Sequence, residues 1–185
     1  MWVNNDGWLD NARYCPSPNY NQRPATAISL VVVHNISLPP RQFGGDYIEQ
    51  LFTNTLNPKE HPYFADIAHL QVSAHLLIRR QGELVQFVSF LQRAWHAGQS
   101  TYLGRENCND FSIGIELEGA DDIAYEEAQY HQLSAVVACL QRAYPTIENH
   151  ITGHEDIAPV RKTDPGAAFD WQKFRYHLTM AKNSL

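Results

Sequence analysis

Residues 112–118 read Ser112-Ile113-Gly114-Ile115-Glu116-Leu117-Glu118, a clean alternation. In an extended chain Ile113, Ile115 and Leu117 face one side, and Ser112, Gly114, Glu116 and Glu118 face the other. One face is built for a core and the other carries two carboxylates and a glycine. A second stretch, Ser29-Leu30-Val31-Val32-Val33-His34, is short, apolar and β-branched, as in a central strand buried on both faces. It runs into Asn35 and then Pro39-Pro40, so His34 stands at the mouth of a strand, where site residues commonly sit.

Around these two strands, residues 46–53 place Tyr47, Ile48, Leu51 and Phe52 at helical spacing. Ala74–Arg79 and Glu83–Val88 read as a hairpin turning at Gln81-Gly82. From Tyr125 to Arg142 the positions Tyr130, Leu133, Val137 and Leu140 mark an amphipathic helix that stops before Pro145. A last helix begins near Phe169 and carries Trp171 and Phe174. The proline-rich opening, Cys15 through Pro24, is expected to be an ordered loop over the core. Strands mixed with helices in this order predict an α/β (α+β) fold. It has one domain over residues 1–185, a central mixed sheet flanked by helices, and a site in loops at one edge of the sheet.

The chain has 185 residues, room for one core and too few for two comfortable ones. Its 44% hydrophobic and 18% charged residues are an ordinary globular balance. The net charge of −6 argues against nucleic acid or an acidic membrane as partner and suits a neutral or mixed-charge small substrate. Cys15, Cys108 and Cys139 are odd in number and far apart, so neither a disulfide framework nor a cysteine zinc knuckle is indicated. Residues 1–6 lack a basic segment followed by an apolar one, and no apolar run reaches membrane-spanning length. The expectation is a cytoplasmic monomer.

Nine histidines are weighed singly, because a count does not make a metal site. His131 and His177 read as ordinary surface residues, and His61 as a loop residue before Pro62. His69 and His75 flank a strand start. His150 and His154 are four apart, but Ile151-Thr152-Gly153 between them opposes the helix that would join them on one face. His154 pairs better with Asp164, within the charge-dense, turn-rich segment from Thr152 to Gly166. That segment is either a site or a surface loop with ion pairs. Asp164 precedes Pro165 and should be extended, pointing Lys162 the same way as Asp164.

Two imidazoles and a carboxylate, His34, His154 and Asp164, form a catalytic zinc set. Zinc held this way keeps a position for water and lowers that water's pKa toward about 7. Hydrolysis of an amide then needs a base and a cation near the oxyanion. Glu116 is the first candidate base and Glu118, on the same face, its competitor; for either the plain alternative is an ion pair. Lys162 is the candidate cation, against the plain reading of an exposed lysine. Tyr63, Phe64, Trp95, Tyr102 and Trp171 serve either sugar stacking or core packing.

These residues also carry a family resemblance. Cys15–Pro24 (CPSPNYNQRP), His34–Pro40 (HNISLPP), Phe43–Gly45 (FGG), His61–Phe64 (HPYF), Ala94–Gly98 (AWHAG), Cys108–Gly119 (CNDFSIGIELEG) and Thr152–Gly166 lie in one order. Together they resemble the AmpD family of 1,6-anhydro-N-acetylmuramoyl-L-alanine amidases, part of a wider group with peptidoglycan-recognition proteins and phage amidases. The resemblance implies Zn2+ on His34, His154 and Asp164, Glu116 as proton acceptor and Lys162 as transition-state stabiliser. It implies a small muropeptide substrate cleaved between the lactyl group of anhydromuramic acid and L-alanine, with Asn35, Tyr63, Trp95 and Glu155 as substrate-binding candidates. It further implies cytoplasmic peptidoglycan recycling and an influence on β-lactamase induction. Departures stand at Gln71 and Asn107, where the family often has basic residues, and at Glu155, where it often has a small or neutral one. Two other readings stay open: a muropeptide-binding protein without catalysis, and a phage-type or secreted amidase acting on intact wall.

Overall fold

The computed structural model describes residues 1–183. In chain order the strands are β1 (Arg13–Tyr14), β2 (Tyr20–Gln22), β3 (Leu30–Ile36), β4 (Leu76–Ile78), β5 (Leu84–Gln86), β6 (Gln92–Ala94), β7 (Thr101–Tyr102), β8 (Arg105–Glu106), β9 (Ser112–Glu118) and β10 (Ile151–Gly153). The helices are α1 (Tyr47–Phe52), α2 (Pro62–Ile67), α3 (Glu127–Ala143), α4 (His154–Ile157) and α5 (Trp171–Asn183). A six-stranded mixed sheet runs β1-β5-β4-β9-β3-β10, antiparallel only between β4 and β5. The two quoted stretches are its centre, and β9 lies parallel between β4 and β3. The expected α/β fold with a mixed, helix-flanked sheet is observed.

The alternation of β9 divides the molecule. Ile113, Ile115 and Leu117 join Val31, Val33, Leu76 and Ile78 in one apolar layer under α3 and α5, which presents Tyr130, Leu133, Val137, Leu140 and Phe174 to it. Each such side chain, fully buried, adds roughly 1.5–3 kcal/mol of transfer free energy, so this layer dominates stability. On the opposite face Leu77 and Val85 meet Ile48, Leu51 and Phe52 of α1 and Phe64 of α2. Leu30 and Val32 meet Ala97, Cys108, Phe111 and Ile157 in a smaller cluster. The two clusters on this face leave the carboxyl end of β3 to polar residues.

Some elements differ from the sequence reading. His61 is not a plain loop residue: its ring accepts the Tyr63 N–H and Pro62 opens α2, a helix-start pairing that the loop reading misses. The segment from Thr152 to Gly166 is only partly loop, since it begins in β10 and the short α4. Asp164 lies in a turn. The hairpin is as expected, with Gly82 at φ +85° where a side chain would be strained. All three cysteines are free. No helix among the described residues is long and apolar enough to cross a membrane.

A partly buried ion network ties α1 to the sheet. Glu49 accepts from Arg13 at 2.6 and 2.9 Å and from Arg79 at 2.6 Å. These bonds, Arg13's first, hold the Glu49 carboxyl down to about 2 from its ordinary 4.5. A depressed carboxylate stabilises the fold above its unfolded pKa and loses that effect as pH falls toward the folded one. Glu49→Gln is therefore expected to cost about 1–2 kcal/mol at neutral pH, discounted for the exposed Arg13, and to flatten the acid limb between about pH 4.5 and 2. Thermal melts across pH check this, and an unchanged acid limb would contradict it.

Candidate metal centre

His34 ends the apolar run of β3, and parallel register sets it beside Glu116 of β9. His154 opens α4 directly after β10, which pairs with β3 on its other side. Three neighbouring strands thus bring two imidazoles and a carboxylate to one end of the sheet. Asp164 arrives from the following turn, held by its backbone carbonyl accepting the Glu155 N–H at 2.9 Å.

The atoms His34 Nδ1, His154 Nδ1 and Asp164 Oδ2 form a triangle with all three sides 3.0 Å. Such a triangle lets a single point lie about 2 Å from each corner, the length of zinc bonds to nitrogen and oxygen. The donors also need a cation there. His154 Nε2 faces a carbonyl, Ala97 O, at 3.1 Å, and a carbonyl can only accept. In the neutral ring the proton therefore sits on Nε2, and the bare Nδ1 lone pair points at the Asp164 carboxylate. Burial pushes the His34 imidazole down to about 4, which keeps it neutral. Converging lone pairs from two imidazoles and an anion fit a divalent metal of the zinc type.

Glu116 is 8% exposed, and its Oε2 has no hydrogen-bond partner. Burial first, and then the Asp164 charge, push its carboxyl well above the usual range, while Lys162 pulls it back. Lys162 also lowers His34, so its ammonium acts on both strands at the site. Glu118, the competing base, is committed elsewhere. Its Oε1 accepts from Gly44 N–H at 2.6 Å and faces Arg79 at 3.5 Å, and its Oε2 accepts from Arg80 N–H at 3.1 Å.

The substrate-binding candidates are less uniform. The Asn35 amide donates to Asp121 at 2.7 Å and to Pro165 O at 3.1 Å, anchoring the turn that carries Asp164. Tyr63 is 40% exposed and lines a groove with Asn35, Leu38 and Leu70. The Trp95 indole is tied to Asn21 at 2.8 Å. The Glu155 carboxyl is raised by burial and then by its acidic neighbours Asp156, Asp121 and Asp164. Of the departures, Gln71 is exposed, and Asn107 sits at φ +58°, a left-handed conformation that asparagine accepts more readily than lysine or arginine. His150 faces Tyr102 OH at 3.1 Å, apart from His154, so no helical histidine pair forms. His131 and His177 lie beside Glu127 on α3 and α5, whose carboxylate also pairs with Lys173.

Residue-by-residue reading did not single out His96 and Ala97. His96 Nδ1 faces His34 Nε2 at 2.9 Å, and Ala97 O accepts from both His154 and, at 2.6 Å, Arg161. The signal available was Gly114, a glycine within the polar face of a central strand. A Cβ there would lie 2.4 Å from the His96 ring.

The chain is similar to known amidases along nearly its whole length. Residues 23–167 match the family model described as N-acetylmuramoyl-L-alanine amidase. The chain is 63% identical over 175 residues to the 1,6-anhydro-N-acetylmuramyl-L-alanine amidase AmpD of Citrobacter freundii, covering 94% of each. It is 64% identical to the Escherichia coli K12 protein of the same name, covering 91% of this chain and 93% of the other. The crystal structure of a selenomethionine AmpD derivative superposes with a TM-score of 0.94 at 61% identity, covering 96% of this chain and 99% of that one. A complex of the E. coli amidase AmiD with anhydro-N-acetylmuramic acid-L-Ala-D-gamma-Glu-L-Lys aligns at a TM-score of 0.60 and 28% identity, covering 95% of this chain and 65% of that one.

Proposed function

Since the chain belongs to the N-acetylmuramoyl-L-alanine amidase family, we propose that it is a zinc-dependent amidase of anhydro-muropeptides. The bond cleaved is the amide between the lactyl group of 1,6-anhydro-N-acetylmuramic acid and L-alanine. The observation that carries this reading is the triangle of His34, His154 and Asp164 with the partnerless Glu116 oxygen on the adjacent strand. Similarity to amidases named for that substrate along nearly the whole chain supports it.

His34, His154 and Asp164 would hold the zinc, which when bound supplies Lewis acidity at neutral pH. Glu116 has the position and freedom of a general base, since nothing else occupies its Oε2. It takes the proton of the attacking water and returns it to the departing L-alanine nitrogen, without which the amine is a poor leaving group. Lys162 places positive charge where the carbonyl oxygen becomes an oxyanion. Tyr63, Asn35, Trp95 and Glu155 are proposed to border the substrate. The single domain, the monomeric state, cytoplasmic recycling and the effect on β-lactamase induction belong to the same proposal.

The test is incubation with purified anhydro-muropeptide and with intact sacculi, each with and without a chelator, read by mass spectrometry. Free peptide is expected from the anhydro-muropeptide alone and not in the chelated sample. Release from sacculi would favour a wall-degrading amidase instead, and binding without cleavage would favour a recognition protein.

A further inference from the structure

We propose that His96 is a positioning residue that commits His34 to metal binding through Nδ1. This rests on the metal reading above and adds the residue that completes it. A histidine that gives one ring nitrogen to a metal must place its proton on the other, and that N–H needs an acceptor when buried. His34 is 1% exposed, and its Nε2 lies 2.9 Å from His96 Nδ1. His96 Nδ1 must then accept, so the His96 proton resides on Nε2, where Ser112 Oγ stands at 3.1 Å to receive it. The order of donation runs outward from the metal: His34 to His96 to Ser112.

The sequence makes room for this relay on the polar face of β9. Ser112 is its terminal acceptor. Gly114 lies under the ring, and a Cβ at residue 114 would meet His96 Cγ at 2.4 Å and Nδ1 at 2.5 Å. Any larger residue there would shift the nitrogen that His34 uses. The His96 and Ala97 backbone N–H groups both donate to Asn109 Oδ1, at 3.2 and 2.8 Å. The adjacent Ala97 carbonyl does for His154 what the His96 ring does for His34. One clamped dipeptide therefore sets the tautomer of both histidine ligands.

The test uses zinc affinity by chelator competition and ring-nitrogen NMR of the zinc-loaded protein. In the wild type, His96 is expected to carry its proton on Nε2, with Nδ1 showing the shift of a hydrogen-bond acceptor. His96→Leu fills similar space without an acceptor and should weaken zinc binding about 10–100-fold, the usual effect of losing an outer partner. Gly114→Ala should act in the same direction by displacing the ring. His96→Gln restores a carbonyl acceptor and should recover most of the affinity. A proton on His96 Nδ1 in the loaded wild type would overturn the proposal. So would wild-type affinity in His96→Leu, or equal losses in His96→Leu and His96→Gln, which would make the ring a spacer. Failure of the wild type to bind zinc would instead sink the metal reading.

Discussion

Asp164→Ala is expected to remove zinc retention and amidase turnover together, with kcat/KM falling on the order of 10³-fold or more, about 4 kcal/mol of transition-state stabilisation. The reasoning is geometric. Asp164 Oδ2 is the one carboxylate corner of a triangle whose other corners are imidazole nitrogens, 3.0 Å away on both sides. Without it, two imidazoles alone hold the ion and no charge offsets it. The fold should survive, because Asp164 sits in a turn outside the apolar layers and the turn keeps its anchors from Asn35 and Tyr125 to Pro165 O. Metal analysis of the purified variant, beside the anhydro-muropeptide assay, checks both halves. A variant that turns over without zinc would overturn the ligand assignment.

Glu116→Gln is the second large effect, and it separates binding from chemistry. The isosteric amide keeps the shape of the site but cannot take up a proton, so kcat should fall about 10²–10⁴-fold. Zinc content should match the wild type, since Glu116 is not a corner of the triangle. Thermal stability should hold or rise, because the buried Oε2 has no partner to lose. Unchanged kcat would move the base role away from Glu116. Glu118 is poorly placed to inherit it, with both oxygens engaged by Gly44, Arg79 and Arg80.

How much of this was legible before the fold was seen differs by residue, for physical reasons. The alternation of residues 112–118 carried far, because a period of two is a statement about faces and the faces hold. It placed Ile113, Ile115 and Leu117 in the core and put Glu116 and Glu118 together on the other side. What periodicity could not do was choose between the two carboxylates, since the choice depends on Gly44 and Arg79, both distant in sequence. The closeness of His154 and Asp164 could be guessed from one charge-dense segment. Their meeting with His34 depends on β10 pairing beside β3, a parallel contact that no local pattern announces. His96 was hardest of all. Its partner His34 is 62 positions away, and the residue types alone do not distinguish a ligand from the group that orients it.

The pairing of His34 with Glu116 across adjacent central strands also divides the site by rigidity. The proposed ligand and the proposed proton acceptor are locked at the spacing of hydrogen-bonded strands, in a region whose amides should exchange with solvent only when the whole domain opens. Asp164 and Lys162 lie outside the sheet, in the segment that follows α4, where Asp164 is held through Pro165 O and the Glu155 N–H. Under the proposed roles, the half of the site that sets proton-transfer distance is therefore the half built into the sheet itself.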